Sequence, residues 1–343
     1  MATAIEETTP SRAEARSAAR RRMAFAAILI AVAVALPLVP PFNGQDYQRL
    51  LVTGALMAAY AVAFDFTAGY IDIVNFGFAA FVGIGAYTSG LLAVDLGISP
   101  WVGMLCGALV SGFVGLLTGM LTLRLRGIYA AVMAWFVGLA LMGLVRNLPD
   151  ITRGSLGLSV PLLLNTSDNL PYYYLVLGIL LLTLVVLMAV IRSRVGLAFR
   201  AIGQNLAAAK ASGINPTRFL VINFTLSCAF AGLLGGFYAH YYGILTPDLL
   251  ATSHTVEVLA VAYIGGRGTL WGPAVIAFPL MVITGLLQAQ LASLPGLELV
   301  LYGLLLILVM VFRPTGFAGL VTSAANRIWR PRTDAAETAA PTA

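Results

Sequence analysis

The chain has 343 residues, 60% of them hydrophobic and 10% charged, with a mean hydropathy of +0.92 and a net charge of +6. Soluble domains usually carry about 25% charged residues, so a water-soluble enzyme or a nucleic-acid-binding domain is excluded as the class. The apolar residues gather in blocks of about the 20 residues that a helix needs to cross a bilayer. They do not alternate as the strands of a membrane barrel would.

Ten spanning segments are predicted: 23–42, 50–67, 72–94, 101–122, 128–147, 171–191, 219–241, 253–267, 273–290 and 297–312. The third contains Asn75, Gly77, Gly83, Gly85 and Gly90; the eighth is short and contains Glu257. The fold class is all-α, a polytopic transmembrane bundle in one domain over 23–317. A disordered basic stretch (1–22) is expected before it and a disordered tail (318–343) after it, since both are polar and lack apolar periodicity. The first segment follows basic residues without an A-x-A-like site, as an uncleaved anchor would. With both termini cytoplasmic, seventeen of the twenty lysines and arginines fall inside, leaving Arg49, Arg146 and Arg153 outside. This is the asymmetry that orients membrane proteins.

Several chemistries find no support. No G-x-x-x-x-G-K-[ST] is present, so ATP has no phosphate-cradling loop in this chain. Cys106 and Cys228 lie inside apolar runs and read as core. His240 and His254, near the outer face and without nearby carboxylate ligands, read as interfacial polar residues. Asp65, Asp72 and Asp95 do not have metal-ligand spacing, and no serine has a base in reach. Neither a metal nor another cofactor is expected, and no enzyme activity. Transport is the remaining class. Split five plus five, segments 3 and 8 with the turn after it ("VAYIGGRGTLWGP") occupy corresponding places, and the odd number inverts the second half. Interrupted helices in inverted repeats line substrate paths, and irregular backbone is tolerated at membrane depth only inside protein or beside a watery cavity. Asn75 and Gly77 are pathway candidates on this reading, whereas glycines 83, 85 and 90 read as packing residues. Asp65, inside segment 2 near its cytoplasmic end, reads first as structural and second as functional.

Between segments 6 and 7 stands "SRVGLAFRAIGQNLAAAKASGIN" (193–215), which holds the chain's single lysine. Val195, Phe199, Ile202, Leu206 and Ala209 recur at helical spacing, opposite a second face of Arg200, Ala207, Ala208, Lys210 and Ala211. Gly213 suits a left-handed stop, and Asn215–Pro216 suit the start of the next helix. The spacing predicts a short cytoplasmic helix over 194–212 within the loop 192–218.

That helix and its glycine turn resemble the coupling loop of ABC importer permeases, written E-A-A-x-x-x-G, here "AAAKASG" (207–213) with Ala207 where the acid stands. More of the chain looks like the LivM-type permease of branched-chain amino acid importers. The matching stretches are "FGFAAFVGIGAYT" (76–88), "RLRGIYAAVMA" (124–134), "TRGSLGLSVP" (152–161), "GLLGGFYAHYYG" (232–243), "YIGGRGTLWGP" (263–273) and "FRPTGF" (312–317). The resemblance implies a multi-pass subunit of a prokaryotic inner (plasma) membrane. It also implies a second homologous permease, two ATPases at the cytoplasmic face and an extracytoplasmic solute-binding protein as partners. Asp65, Asn75, Gly77, Phe78 and Tyr87 are then the expected substrate pathway, and Arg200, Ala207, Ala208, Lys210 and Gly213 the ATPase-coupling loop. Related permeases are thought to carry amides, urea or aromatic acids, and a stand-alone ion-coupled transporter is the rival class. Three departures bear on cargo: Phe78 stands for the family's histidine, Asn75 for a serine, and Leu156 for an acid.

Overall fold

The computed structural model describes residues 24, 27–40, 43–122, 128–164, 166, 168–290, 300, 303–304, 307–308, 311–312 and 316–320. The basic stretch 1–22, Arg124, Arg126, most of the tenth predicted segment and the tail beyond 320 lie outside the described residues. In chain order the helices are α1 (Ala27–Leu38), α2 (Gln45–Ala68), α3 (Phe78–Asp95), α4 (Pro100–Thr122), α5 (Ile128–Arg146) and the single turn α6 (Pro149–Thr152). They continue as α7 (Asn169–Arg192), α8 (Arg194–Gln204), α9 (Leu206–Ala211), α10 (Pro216–Tyr242), α11 (Thr252–Gly265) and α12 (Trp271–Gln290). Among the described residues, α2, α3, α4, α5, α7 and α10 are long and apolar enough to cross a membrane, and α1 and α12 are shorter apolar helices. The protein is a polytopic helical bundle.

Two helices form its centre. α2 packs on α7, α11 and α12, while α10 packs on α3 and α4. Glycine makes the second set possible. A Cβ on Gly85 would strike the backbone of Gly232, one on Gly235 would strike the carbonyl of Val82, and one on Gly107 would lie 2.6 Å from the oxygen of Gly85. In a bilayer, with little hydrophobic drive between helices, such close backbone contact is a main source of association. Gly83 and Gly90 are also packing positions: a Cβ there would meet Leu250, and Leu245 with Val160, respectively. The third predicted segment is therefore interrupted only at its start. Residues 72–77 are non-helical and α3 runs unbroken through Gly83, Gly85 and Gly90.

At one end of the bundle, β1 (Leu158–Ser159) and β2 (Ile244–Leu245) pair antiparallel. Arg146 meets Asp248 at 2.8 Å, and Gln45 donates to Asp168. His240 belongs to this end but is fully buried, which corrects its reading as interfacial. Its Nδ1 lies 2.7 Å from the carbonyl of Pro161, which can only accept, so that nitrogen carries the proton; Nε2 then accepts from Ser89 Oγ at 2.8 Å. His254 differs from its reading in having a carboxylate nearby, with Nδ1 3.5 Å from Glu257. No cluster of metal-ligand residues occurs among the described residues. The opposite end carries the 69–77 stretch, the α11–α12 turn, α8 and α9.

Candidate functional site

Between α2 and α3 the chain leaves the helix at Gly69 and re-enters at Phe78. Asn75 closes the re-entry: its Oδ1 accepts from Gly77 N at 3.1 Å, its carbonyl accepts from Phe78 N, and its Nδ2 faces Cys228 Sγ at 3.9 Å. Helix N-termini leave orphan N–H groups. Here one of them, on Ala79, donates to Thr255 Oγ1 of α11 at 3.0 Å. Gly77 is required by proximity, because a Cβ would strike the carbonyl of Ala134 on α5.

A second irregular stretch, 266–270, joins α11 to α12, with Gly266, Gly268 and Leu270 at positive φ. It is held from outside. Asp65, 1% exposed, accepts from Gly268 N at 2.7 Å and Leu270 N at 3.1 Å. Arg267 Nε donates to the carbonyl of Ala68 at 2.9 Å, and its guanidinium pairs with Asp72. Gly69 and Gly268 are in backbone contact, so neither tolerates a side chain on that side. The two interruptions thus meet at one end of the bundle.

The loop 193–215 rests on the same place. It forms two helices where one was predicted, because Asn205 ends α8 and caps α9, its Oδ1 accepting from Ala207 N and Ala208 N at 3.0 Å. Phe199, Ile202 and Ala209 are buried and Val195 and Leu206 partly so, while Arg200, Ala207, Ala208, Lys210 and Ala211 are exposed. Gly213 has φ +80 with open space around it, and Asn215 caps α10 by accepting from Arg218 N. Arg200 is less free than its exposure suggests: its guanidinium stands 6.0 Å from the centre of the Tyr70 ring. A Cβ on Gly203 would strike the carbonyl of Tyr70. Burial pushes the Tyr70 phenol up to about 12, Asp65 adding to the rise and Arg200 opposing it, so its hydroxyl is neutral at pH 7. The loop therefore presses on the residue that opens the 69–77 stretch.

All five expected pathway residues are enclosed. Asp65 and Asn75 are 1% exposed, Gly77 is buried, Phe78 is 0% exposed and Tyr87 4%. Phe78 packs edge-on against Phe64 and Tyr60, with ring centres 5.5 and 6.4 Å away. The Tyr87 hydroxyl has no hydrogen-bond partner among the described residues. Arg267, Asp72, Thr255, Tyr70 and Gly203 were not legible as parts of this site. Arg267 lies inside a quoted family stretch, but nothing local marks its partners, which sit far away in the chain. Leu156, at the tip of the outer loop, is 93% exposed.

Residues 47–310 match the family described as branched-chain amino acid transport system / permease component. The chain is 27% identical over 320 residues to the high-affinity branched-chain amino acid transport system permease protein LivM of Escherichia coli, covering 85% of this chain and 74% of that protein. To LivH of the same organism it is 26% identical over 305 residues, covering 81% and 94%. To the autoinducer 2 import system permease protein LsrC of Yersinia enterocolitica it is 27% identical over 254 residues, covering 73% and 61%. No solved structure matches. With more than half its length matched, the chain belongs to the branched-chain amino acid transport system permease family.

Proposed function

We propose that this chain is the membrane-spanning permease subunit of an ATP-driven ABC importer for branched-chain amino acids, working with a second, homologous permease. The observation that carries the reading is the family match across 47–310. Two ATPases are proposed to dock on α8–α9, and an extracytoplasmic binding protein to deliver cargo at the β1–β2 end. This chain itself would hydrolyse nothing. The end bearing 69–77, 266–270 and α8–α9 is proposed as cytoplasmic, since the basic residues concentrate there. Ten spans in an inverted repeat are proposed from the packing pattern: α2 on α11 and α12 mirrors α10 on α3 and α4.

The mechanism follows from the contacts. Motion of docked ATPases would move α8, which lies against Tyr70, and Tyr70 opens the 69–77 stretch. That stretch is tied through Asp65, Ala68 and Asp72 to the α11–α12 turn. One push would therefore shift the entry of α3 and the exit of α11 together. Asn75, Gly77 and Tyr87 are proposed to line the path when this enclosed interior opens, with Asp65 and Phe78 holding its walls. A cargo outside the leucine class is the second reading, favoured by similarity to the autoinducer 2 permease; ligand binding by the partner binding protein decides between them.

Ala208→Trp and Gly213→Val test the docking role. Ala208 is exposed, so a tryptophan there leaves the bundle intact but blocks an ATPase groove. Valine at φ +80 is strained and misdirects the turn. Both variants should reach the membrane, lose co-purifying ATPases and lose uptake. Normal ATPase binding and uptake in both would reduce the loop to a connector.

A further inference from the structure

We propose that the crevice between α1, α7 and α12 is a binding site for one anionic phospholipid of the cytoplasmic leaflet. The crevice measures about 700 Å³ and runs along the flank of the bundle between these three helices. Leucine, valine, alanine and methionine from α1 and α7 make most of its wall, and Phe278 and Pro279 of α12 close the far side. Such a volume does not stay empty inside a bilayer, because atoms facing a void lose their dispersion contacts.

The lining has a direction. Arg192 is its one charged residue among the described residues, and it stands at the end where α7 stops. Its guanidinium has no hydrogen-bond or ion-pair partner among the described residues, and it is exposed. Trp271, the first residue of α12, lines the same end. A tryptophan beside an arginine at the boundary of an apolar groove is the arrangement that holds a headgroup, the indole at the interfacial level and the cation on the phosphate. From Arg192 back to Leu177 the groove follows α7 for about 22 Å at about 1.5 Å per residue. Half of the hydrocarbon core is about 15 Å deep. An acyl chain entering at Arg192 therefore stays against protein through its whole leaflet.

Charge selects the occupant. A zwitterionic lipid brings its own cation to the headgroup and gains little from Arg192. An anionic headgroup gains the attraction of an unpaired guanidinium, worth about fivefold in binding. α1 is held over the crevice by two phenols of α7, Tyr173 donating to the carbonyl of Ala33 at 2.6 Å and Tyr174 to that of Val34 at 3.2 Å. The lipid would then fill the space that these two contacts leave between α1 and α12. The proposal depends on α7 crossing the membrane with Arg192 on the cytoplasmic side, and not on which cargo is carried.

The full chain, with Trp101, Trp135 and Trp329 replaced by phenylalanine, is reconstituted in nanodiscs so that Trp271 alone reports. Brominated phosphatidylglycerol and brominated phosphatidylcholine are titrated as quenchers. Phosphatidylglycerol should quench several-fold more effectively than phosphatidylcholine. Arg192→Gln should lower that preference about fivefold, and Ala189→Phe, filling the crevice without adding a second indole, should lower quenching by both lipids. A control variant, Leu182→Ala on the exposed side of α7, should change nothing. Equal quenching by the two lipids, or a preference untouched by Arg192→Gln, overturns the proposal. So does quantitative disulfide formation between cysteines at 181 and 304, which would show the chain's own last segment in the groove.

Discussion

The two irregular stretches that meet at the proposed cytoplasmic end differ in how much support each takes from other helices. Residues 69–77 close themselves: Asn75 makes the turn with its own side chain, and one distant hydroxyl, that of Thr255, finishes the helix start. Residues 266–270 close themselves only in part: Thr269 Oγ1 donates to the carbonyl of Gly266 at 2.6 Å and accepts from Gly272 N at 3.3 Å. Their glycines allow the backbone to turn, but the N–H groups of Gly268 and Leu270 are satisfied by a carboxylate from another helix. Both stretches carry a side-chain cap, Asn75 in one and Thr269 in the other, but the middle of the second is also held by Asp65 of α2. Loss of one side chain should therefore injure the second far more than the first.

The largest expected effect is that of Asp65→Leu. It removes the acceptor of one buried and one part-buried N–H group, each costing about 1–3 kcal/mol when orphaned. The expected loss is about 4 kcal/mol, read as a fall in melting temperature or in SDS-unfolding stability, with uptake abolished. A melting temperature within error of the parent would show that the α11–α12 turn holds its own shape and would end the contrast.

Phe78→His comes next. The ring is fully buried against Phe64 and Tyr60, and histidine brings two polar nitrogens into that space. A loss of about 2–3 kcal/mol is expected, unless the Tyr60 hydroxyl, which has no partner among the described residues, supplies a bond. Comparing Phe78→His with the Tyr60→Phe/Phe78→His double variant measures that bond. If the histidine is tolerated in both backgrounds, the Phe78 pocket is wetter than its burial indicates.

Legibility in the sequence follows the same division. Local chemistry could be read: Gly213, Asn215 and Pro216 cap and stop helices as their types predict, and the buried face of 195–209 shows in its spacing. Helix existence was legible from apolar blocks. Asn205 was missed as a break because its capping role competes with an otherwise continuous helical pattern, and only the structure decides which wins. The ties of Asp65 to Gly268 and of Arg267 to Ala68 span about two hundred residues, and no periodicity reports such a distance. The sequence also pairs segment 3 with the turn after segment 8, yet one break precedes its helix and the other follows it. The inversion proposed for the second half would bring both to the same end. Gly69 against Gly268 is the physical result, and it required the fold.

Asn75→Leu tests the self-capped stretch. The hydrogen bond from Gly77 N and the long contact with Cys228 Sγ are lost, and the rest of the turn is backbone, so about 1–2 kcal/mol is expected. Uptake should fall while the complex still assembles. A loss as large as that of Asp65→Leu would mean that the two stretches are supported alike.

The smallest effect on stability belongs to Asp72, the one side chain of the first stretch that reaches the second. Its pair with Arg267 is exposed, with 65% and 37% of the two side chains open to solvent, and exposed pairs contribute about 0–1 kcal/mol. Asp72 also has φ +58, a conformation that asparagine accepts and alanine resists. Asp72→Asn removes the charge and keeps the turn; Asp72→Ala removes both. Asp72→Asn should leave melting unchanged within about 0.5 kcal/mol, and Asp72→Ala should cost about 1–2 kcal/mol through backbone strain. Uptake separates the two roles. If the ion pair latches the stretches during the cycle, Asp72→Asn alters uptake with no loss of stability, and restoring opposite charges with Asp72→Arg/Arg267→Asp partly recovers it. If uptake tracks melting across all three variants, Asp72 serves the turn alone, and the two stretches are joined through Asp65, Ala68 and the contact of Gly69 with Gly268.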